Sequence, residues 1–275
     1  MVATAPDDGL DDRYLVQPVL KAMQVLQLVC EALEPVSLNQ LVRNAALPKT
    51  TVFRYLRTLT TLGFVEHDAE ADRYRPGIGL WRLSHASSPY ETLRQACKPH
   101  MKRLRQRFNE TINLGVVSGG EVFYLDVLES ERSLRMQSSV GSTDPLHSTA
   151  LGKVFLAFRP ADQLALLVPA ILPKVTESTI TDRAALFDQL EIIRTTGYAI
   201  EIGENEEGSY CIAAPILDGR GTAIAAMSLS APISRFDESA RQAICAGLMT
   251  AGNEIGRTLR GNAAEPGASG AKAVA

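Results

Sequence analysis

No stretch of the 275-residue chain approaches the roughly 20 consecutive apolar residues of a membrane-spanning helix. The most apolar stretches, 165–172 and 211–217, are short and are interrupted by Pro169 and Pro215. The N-terminus lacks the basic-then-apolar pattern of a secretory signal and carries Asp7, Asp8, Asp11 and Asp12 instead. These absences predict a soluble, cytoplasmic protein with no membrane partner. Cys30, Cys97, Cys211 and Cys245 are widely spaced, with no Cys-x-x-Cys pair, and His67, His85, His100 and His147 are equally scattered. A structural metal needs ligands gathered by short local spacings, so neither a metal nor a disulfide framework is expected. There is also no Gly-x-Ser-x-Gly nucleophile elbow. At this length the chain buries a large core without covalent staples.

What is present is unevenly charged. Residues 1–12 contribute −4 within a formal net charge of −3, whereas residues 13–88 hold nine Lys/Arg against six Asp/Glu. A positive surplus in a small N-terminal block is compatible with nucleic-acid binding, and many ordinary domains show the same. Residues 1–14 read as a disordered acidic tail, and the Gly/Ala-rich stretch 261–275 reads as a second disordered tail. Between them, 15–88 has a helical texture and 90–260 mixes strands with helices.

In the first region Val19, Met23, Leu26 and Cys30 recur at helical spacing and predict an amphipathic helix. Ser37-Leu38-Asn39-Gln40 matches a capping box that opens a short second helix. Pro48 fits the first turn of a third helix, where its missing N–H costs nothing. On that helix Val52, Leu56 and Leu59 form a core stripe, while Lys49, Thr50, Arg54, Arg57 and Thr58 face outward. Gly63 is placed to stop it. Two alternating stretches, 64–67 and 73–75, follow as a hairpin. Three helices and a hairpin make a winged helix-turn-helix, whose third helix can enter the major groove. The plainer reading is a three-helix packing module.

The segment Leu47-Pro48-Lys49-Thr50-Thr51-Val52-Phe53-Arg54-Tyr55-Leu56 resembles the recognition-helix motif of the IclR family of bacterial transcriptional regulators. Three further segments match in order and spacing: Leu146-His147-Ser148-Thr149-Ala150-Leu151-Gly152-Lys153, Cys211-Ile212-Ala213-Ala214-Pro215-Ile216, and Ser228-Leu229-Ser230-Ala231-Pro232. The resemblance implies an α+β architecture. A winged helix-turn-helix over 15–77 and a linker helix over 78–89 would precede a GAF-like effector-binding domain over 90–260, with an antiparallel sheet flanked by helices. It also implies a homodimer or homotetramer on a palindromic double-stranded DNA operator, controlled by a small organic acid or aromatic effector, with no cofactor and no enzymatic activity. Lys49, Thr50, Thr51 and Arg54 become candidates for base and phosphate contacts, with Arg57 for phosphate and Arg73 or Tyr74 for the wing. Two positions depart from the family pattern. Ala46 stands in the turn where glycine is usual, and Pro76 stands where the wing motif has leucine.

In the second region strands are expected over 111–117, 121–128, 133–138, 198–201, 210–217 and 223–230. Helices are expected over 149–158, 161–168, 182–196 and 236–259. Ala150 and Leu151 open a helix whose free N–H groups favour an anion. The resemblance maps the effector pocket there and adds Glu201, Cys211, Ser228 and Ser230 as its polar lining. Ser228 and Ser230 sit two apart on a strand and point to one face. Cys211 and Glu201 have two readings each, as pocket residues or as structural ones. Gly152 reads as a close-packing position of its helix against the sheet, and His147 as a residue fixing the preceding loop. The basic run Lys98, Lys102, Arg103, Arg105 and Arg107 reads as a solvated helix face. Two alternatives stay open: a redox sensor acting through Cys211, and a small-molecule hydrolase using Cys211 or a serine with His147 as base.

Overall fold

The computed structural model describes residues 14–84, 89–160, 163–164 and 167–263. The expected tails fall almost wholly outside these residues, as do the end of the expected linker helix and part of the helix expected over 161–168. The chain divides into two compact units, Met1–Pro89 and Tyr90–Ala275. Among the described residues no helix is long and apolar enough to cross a membrane.

The first unit runs α1 (Gln17–Glu31), α2 (Leu38–Ala45), α3 (Lys49–Thr61), β1 (Val65–Asp68), β2 (Arg73–Pro76) and α4 (Ile78–Ser84). Val25, Leu26 and Val29 of α1 pack with Leu41 of α2 and with Val52, Leu56 and Leu59 of α3. The expected α1 stripe is therefore rotated. Val19 is 59% exposed, Met23 50% exposed, and Cys30 is exposed as well. Both stripes have helical spacing and share Leu26, so only packing against α2 and α3 chooses between them. The capping box forms as the sequence suggests: the Ser37 N–H donates to Gln40 Oε1 at 2.9 Å and the Gln40 N–H to Ser37 Oγ at 3.3 Å. Pro48 sits one place earlier than expected, as the N-cap of α3. β1 and β2 pair antiparallel, with His67 opposite Tyr74.

The second unit opens with α5 (Pro89–Phe108), then β3 (Thr111–Ser118), β4 (Glu121–Leu128), β5 (Thr143–Pro145) and α6 (Ala150–Ala157). It continues through α7 (Arg183–Thr196), β6 (Ala199–Ile202), β7 (Ser209–Leu217), β8 (Ala223–Pro232) and α8 (Glu238–Ala263). The six strands form one sheet in the order β5-β4-β3-β8-β7-β6, every neighbour antiparallel. The strand expected over 133–138 does not form. Its place at the sheet edge is taken by the short β5, which pairs with β4 through Phe123 and Thr143.

Alternation along each strand splits the core between the two faces of the sheet. On one face Ile112, Leu114, Ile212, Met227 and Leu229 meet Cys97 and Met101 of α5 and Leu248 and Ile255 of α8. On the other, Val122, Tyr124, Ala213 and Ala226 meet Val154 and Phe155 of α6 and Leu186 and Leu190 of α7. The basic run on α5 is largely neutralised rather than merely solvated. Lys98 pairs with the buried Asp126 at 2.7 Å, Arg103 with Glu254 at 3.2 Å and Arg105 with Glu131 at 2.7 Å.

Candidate functional site

In the first unit, α2, a tight turn and α3 present one basic surface. The turn closes through Ala46 in the left-handed conformation, φ 51 and ψ 38. With Val52, Leu56 and Leu59 held inward, Lys49, Thr50, Arg54 and Arg57 are exposed on the outer side of α3, and Thr51 is half-buried. The helix contains no acidic residue, and Pro48 supplies no side-chain cap to its first amides. Positive side chains and free amides at a helix start are the groups that meet phosphates. Arg73 lies on the hairpin, where its Nη1 donates to Gln40 Oε1 at 2.9 Å and ties the wing to α2. Tyr74 departs from the expected wing contact. It is 4% exposed, belongs to the core and stacks on His67.

In the second unit a cavity opens on the α6 face of the sheet, and all six residues expected around an effector line it: Ala150, Leu151, Glu201, Cys211, Ser228 and Ser230. About 60 Å³ of it is open to the centre of a water molecule. One water needs roughly 10–15 Å³ on that measure, so the space holds several waters or a small ligand in their place.

Each wall has a local cause. Thr149 caps α6 by accepting the Gly152 N–H at 3.0 Å, and its backbone carbonyl takes the Lys153 N–H at 2.9 Å. The amides of Ala150 and Leu151 are the remaining first-turn donors at the cavity. Gly152 brings the helix down onto the preceding loop rather than the sheet, since a Cβ there would lie 2.2 Å from the Leu146 carbonyl oxygen. On the sheet, Asn113 of β3 stands opposite Ser228 of β8. Its Nδ2 donates to Ser228 Oγ and to Ser230 Oγ, both at 3.2 Å. Cys211 Sγ donates to Ser230 Oγ at 3.2 Å. Met136, Gln137 and Ser138 come from the β4–β5 connection. Thr111 Oγ1 holds that segment by donating to the Met136 carbonyl at 2.7 Å, and Arg235, paired with the buried Glu110 carboxylate at 2.9 Å, donates to the Leu134 carbonyl of the same connection.

The far wall is acidic. Glu201 is buried and accepts from the N–H groups of Glu204 and Asn205 and from Ser209 Oγ. Burial pushes its carboxyl above the ordinary range, against the pull of those donors. Behind it Lys153, with no exposed surface, pairs with Glu204 and donates to Gln189 Oε1 at 2.8 Å. Burial lowers the lysine and raises Glu204. Tyr124 donates to Asp144 Oδ2 at 2.7 Å, and both residues line the cavity.

The sequence reading missed Asn113, Tyr124, Asp144 and Ser209. Only strand register brings them to the site, although Asn113 and Ser209 stand at polar alternate positions of otherwise apolar strands. His147 is buried and donates to the Pro173 carbonyl at 2.8 Å, away from the cavity lining, so it does not pair with Cys211. Burial drives the Cys211 thiol well above its ordinary range. A protonated thiol is a poor nucleophile and a slow redox centre, so this geometry favours neither alternative. Among the described residues no cluster of His, Cys, Asp or Glu could hold a metal ion.

A winged helix-turn-helix with a basic outer helix, on the same chain as a sheet domain enclosing a polar cavity, defines a ligand-responsive, DNA-binding transcriptional regulator. The family model for the C-terminal domain of bacterial IclR transcriptional regulators matches residues 88–257, and the IclR helix-turn-helix domain matches residues 18–69. The chain belongs to the IclR family. It is 35% identical over 241 residues to the transcriptional regulator KdgR of Escherichia coli, covering 87% of this chain and 91% of that one. The solved IclR of Thermotoga maritima superposes with a TM-score of 0.72 at 30% identity, covering 90% of this chain and 100% of that one. An IclR homolog from Microbacterium hydrocarbonoxydans, solved with 4-hydroxybenzoate, gives 0.77 at 26% identity, covering 88% and 99%. Its named relatives are regulators and repressors rather than enzymes.

Proposed function

We propose that this cytoplasmic regulator binds a palindromic operator as a homodimer or homotetramer and that a small organic acid or aromatic metabolite in the α6 cavity controls that binding. Lys49, Thr50, Thr51 and Arg54 meet bases and phosphates, Arg57 and Arg73 meet phosphates, and Tyr74 supports the wing from beneath. The winged helix-turn-helix spans 15–77, the linker 78–89 and the effector domain 90–260. The observation that carries the effector reading is that the first-turn residues of α6 and two serines line one cavity, and their amides and hydroxyls make a donor set suited to a carboxylate. Leu20 and Met23 of α1 and Ile78 and Leu83 of α4 are exposed apolar side chains of the first unit, which self-association would cover.

The test is a mobility shift on the DNA upstream of the protein's own gene, repeated across organic acids that include 4-hydroxybenzoate. A specific shift that one acid abolishes or strengthens supports the reading, with a coupling energy on the order of 1–3 kcal/mol. Absence of any specific shift, even at low salt, counts against the operator assignment.

A further inference from the structure

Asn113 is 1% exposed, stands beside Ser228 on the α6 face of the sheet without lining the cavity, and has no place in the reading above. Its side-chain nitrogen is 3.2 Å from Ser228 Oγ and 3.2 Å from Ser230 Oγ, so each of its two amide protons meets one hydroxyl oxygen. A serine hydroxyl has one proton and two lone pairs. Ser230 accepts from Asn113 and from Cys211 Sγ, which fills both lone pairs and leaves its proton as the only group it can offer the cavity. Ser228 accepts from Asn113 on one lone pair, which keeps its proton from pointing at the amide and leaves that proton and the other lone pair for the cavity.

The opposite end of the amide supports this orientation. Asn113 Oδ1 is buried without a partner among the described residues. Turning the amide over would replace that lone carbonyl oxygen with a buried NH2 whose two protons are unmet. Orphaned buried N–H groups are rarer than under-satisfied carbonyls.

We propose that Asn113 is the specificity-determining residue of the cavity: with Cys211 it fixes the Ser230 hydroxyl as a donor and it keeps the Ser228 proton available, and so it favours a ligand group that only accepts, a carboxylate, over a group that also donates, such as a primary amide. This inference rests on the reading of the cavity as an effector site and assigns its selectivity to a residue that does not line it.

The experiment compares the full chain with Asn113→Asp and Asn113→Ala, using isothermal titration with three acids (pyruvate, D-glycerate and 4-hydroxybenzoate) and their primary amides. An aspartate accepts from both serines and turns their lone pairs toward the cavity. The wild type is expected to favour an acid over its amide by at least about tenfold, the scale of a hydrogen bond to a charged group. Asn113→Asp is expected to lose that preference and to bind the amide more tightly than the wild type does. Added negative charge alone would weaken the acid and leave the neutral amide unchanged. Asn113→Ala, which adds no charge, is expected to narrow the ratio because the hydroxyls can rotate.

An unchanged ratio in both variants overturns the inference while leaving the carboxylate site standing. If the wild type binds none of the acids, the carboxylate reading loses its support. Asn113 is then judged by an atomic-resolution crystal structure of the wild type, which also serves if the variants do not fold. Hydrogen density on the atom facing the serines bears the orientation out, and a bare oxygen there overturns it.

Discussion

His67 and Tyr74 face each other across the β1–β2 hairpin with their rings stacked, centroids 4.4 Å apart and planes 20° from parallel. Tyr74 also exchanges two backbone hydrogen bonds with Val36, at 2.8 and 2.9 Å, which joins the hairpin to the segment before α2. The tyrosine is thus a core residue of the wing, and its hydroxyl is expected to contribute little to DNA binding. Tyr74→Ala should cost about 3–5 kcal/mol of stability in urea unfolding, the usual range for removing a buried aromatic ring. Tyr74→Phe should leave operator affinity within about 0.5 kcal/mol of wild type. A large loss of affinity in a stable Tyr74→Phe protein would return the hydroxyl to the DNA interface.

Arg54 is exposed on α3 among residues of its own sign. Its replacement by alanine should weaken operator binding by about 1–3 kcal/mol if it reads a base, and should lower the salt slope by about 1 if it meets a phosphate. Fluorescence anisotropy across a salt series separates the two. Neither effect in a folded variant would remove Arg54 from the interface.

Ala46 occupies the left-handed region at φ 51, where a side chain costs roughly 1–2 kcal/mol relative to glycine. Glycine has more freedom to lose on folding, which returns about 0.4–1 kcal/mol of that. Ala46→Gly should stabilise the first unit by up to about 1.6 kcal/mol, read as a higher urea midpoint. A lower midpoint would mean that the alanine methyl contributes packing that outweighs its strained backbone.

Glu201 offers a pH test with a definite sign. Burial raises its carboxyl in the folded state, so its contribution to stability is complete below the ordinary glutamate range and is lost as pH rises through the raised value. Glu201→Gln should therefore match wild type in mild acid and become progressively more stable than it toward neutrality. Melting temperatures measured across that interval report the difference, at roughly 2–4 °C per kcal/mol. A gap that shrinks with rising pH would show that the N–H donors from Glu204 and Asn205 outweigh burial.

The legible parts of the fold were those fixed by local chemistry. The Ser37–Gln40 capping box and the Val52, Leu56, Leu59 stripe each depend on residues within one or two turns. The α1 stripe is ambiguous in sequence because Val19, Met23, Leu26 and Cys30 satisfy the same periodicity as Val25, Leu26 and Val29, and the choice belongs to neighbouring helices. β5 was missed because three residues ending in Pro145 carry no alternation, and their pairing with β4 is a tertiary event. The cavity divides in the same way. Its six expected residues follow from the family resemblance, whereas Asn113 acquires its partners only through the β3–β8 register.

The sheet of the second unit ends in its two shortest strands, β5 with three residues and β6 with four, and β5 closes on a proline that has no N–H to offer. Short, interrupted borders make poor templates for strand addition. Two copies of this chain are thus discouraged from fusing into a continuous sheet and from seeding fibrils along it. The proposed assembly would then fall to side-chain surfaces, which separate more readily than a shared sheet.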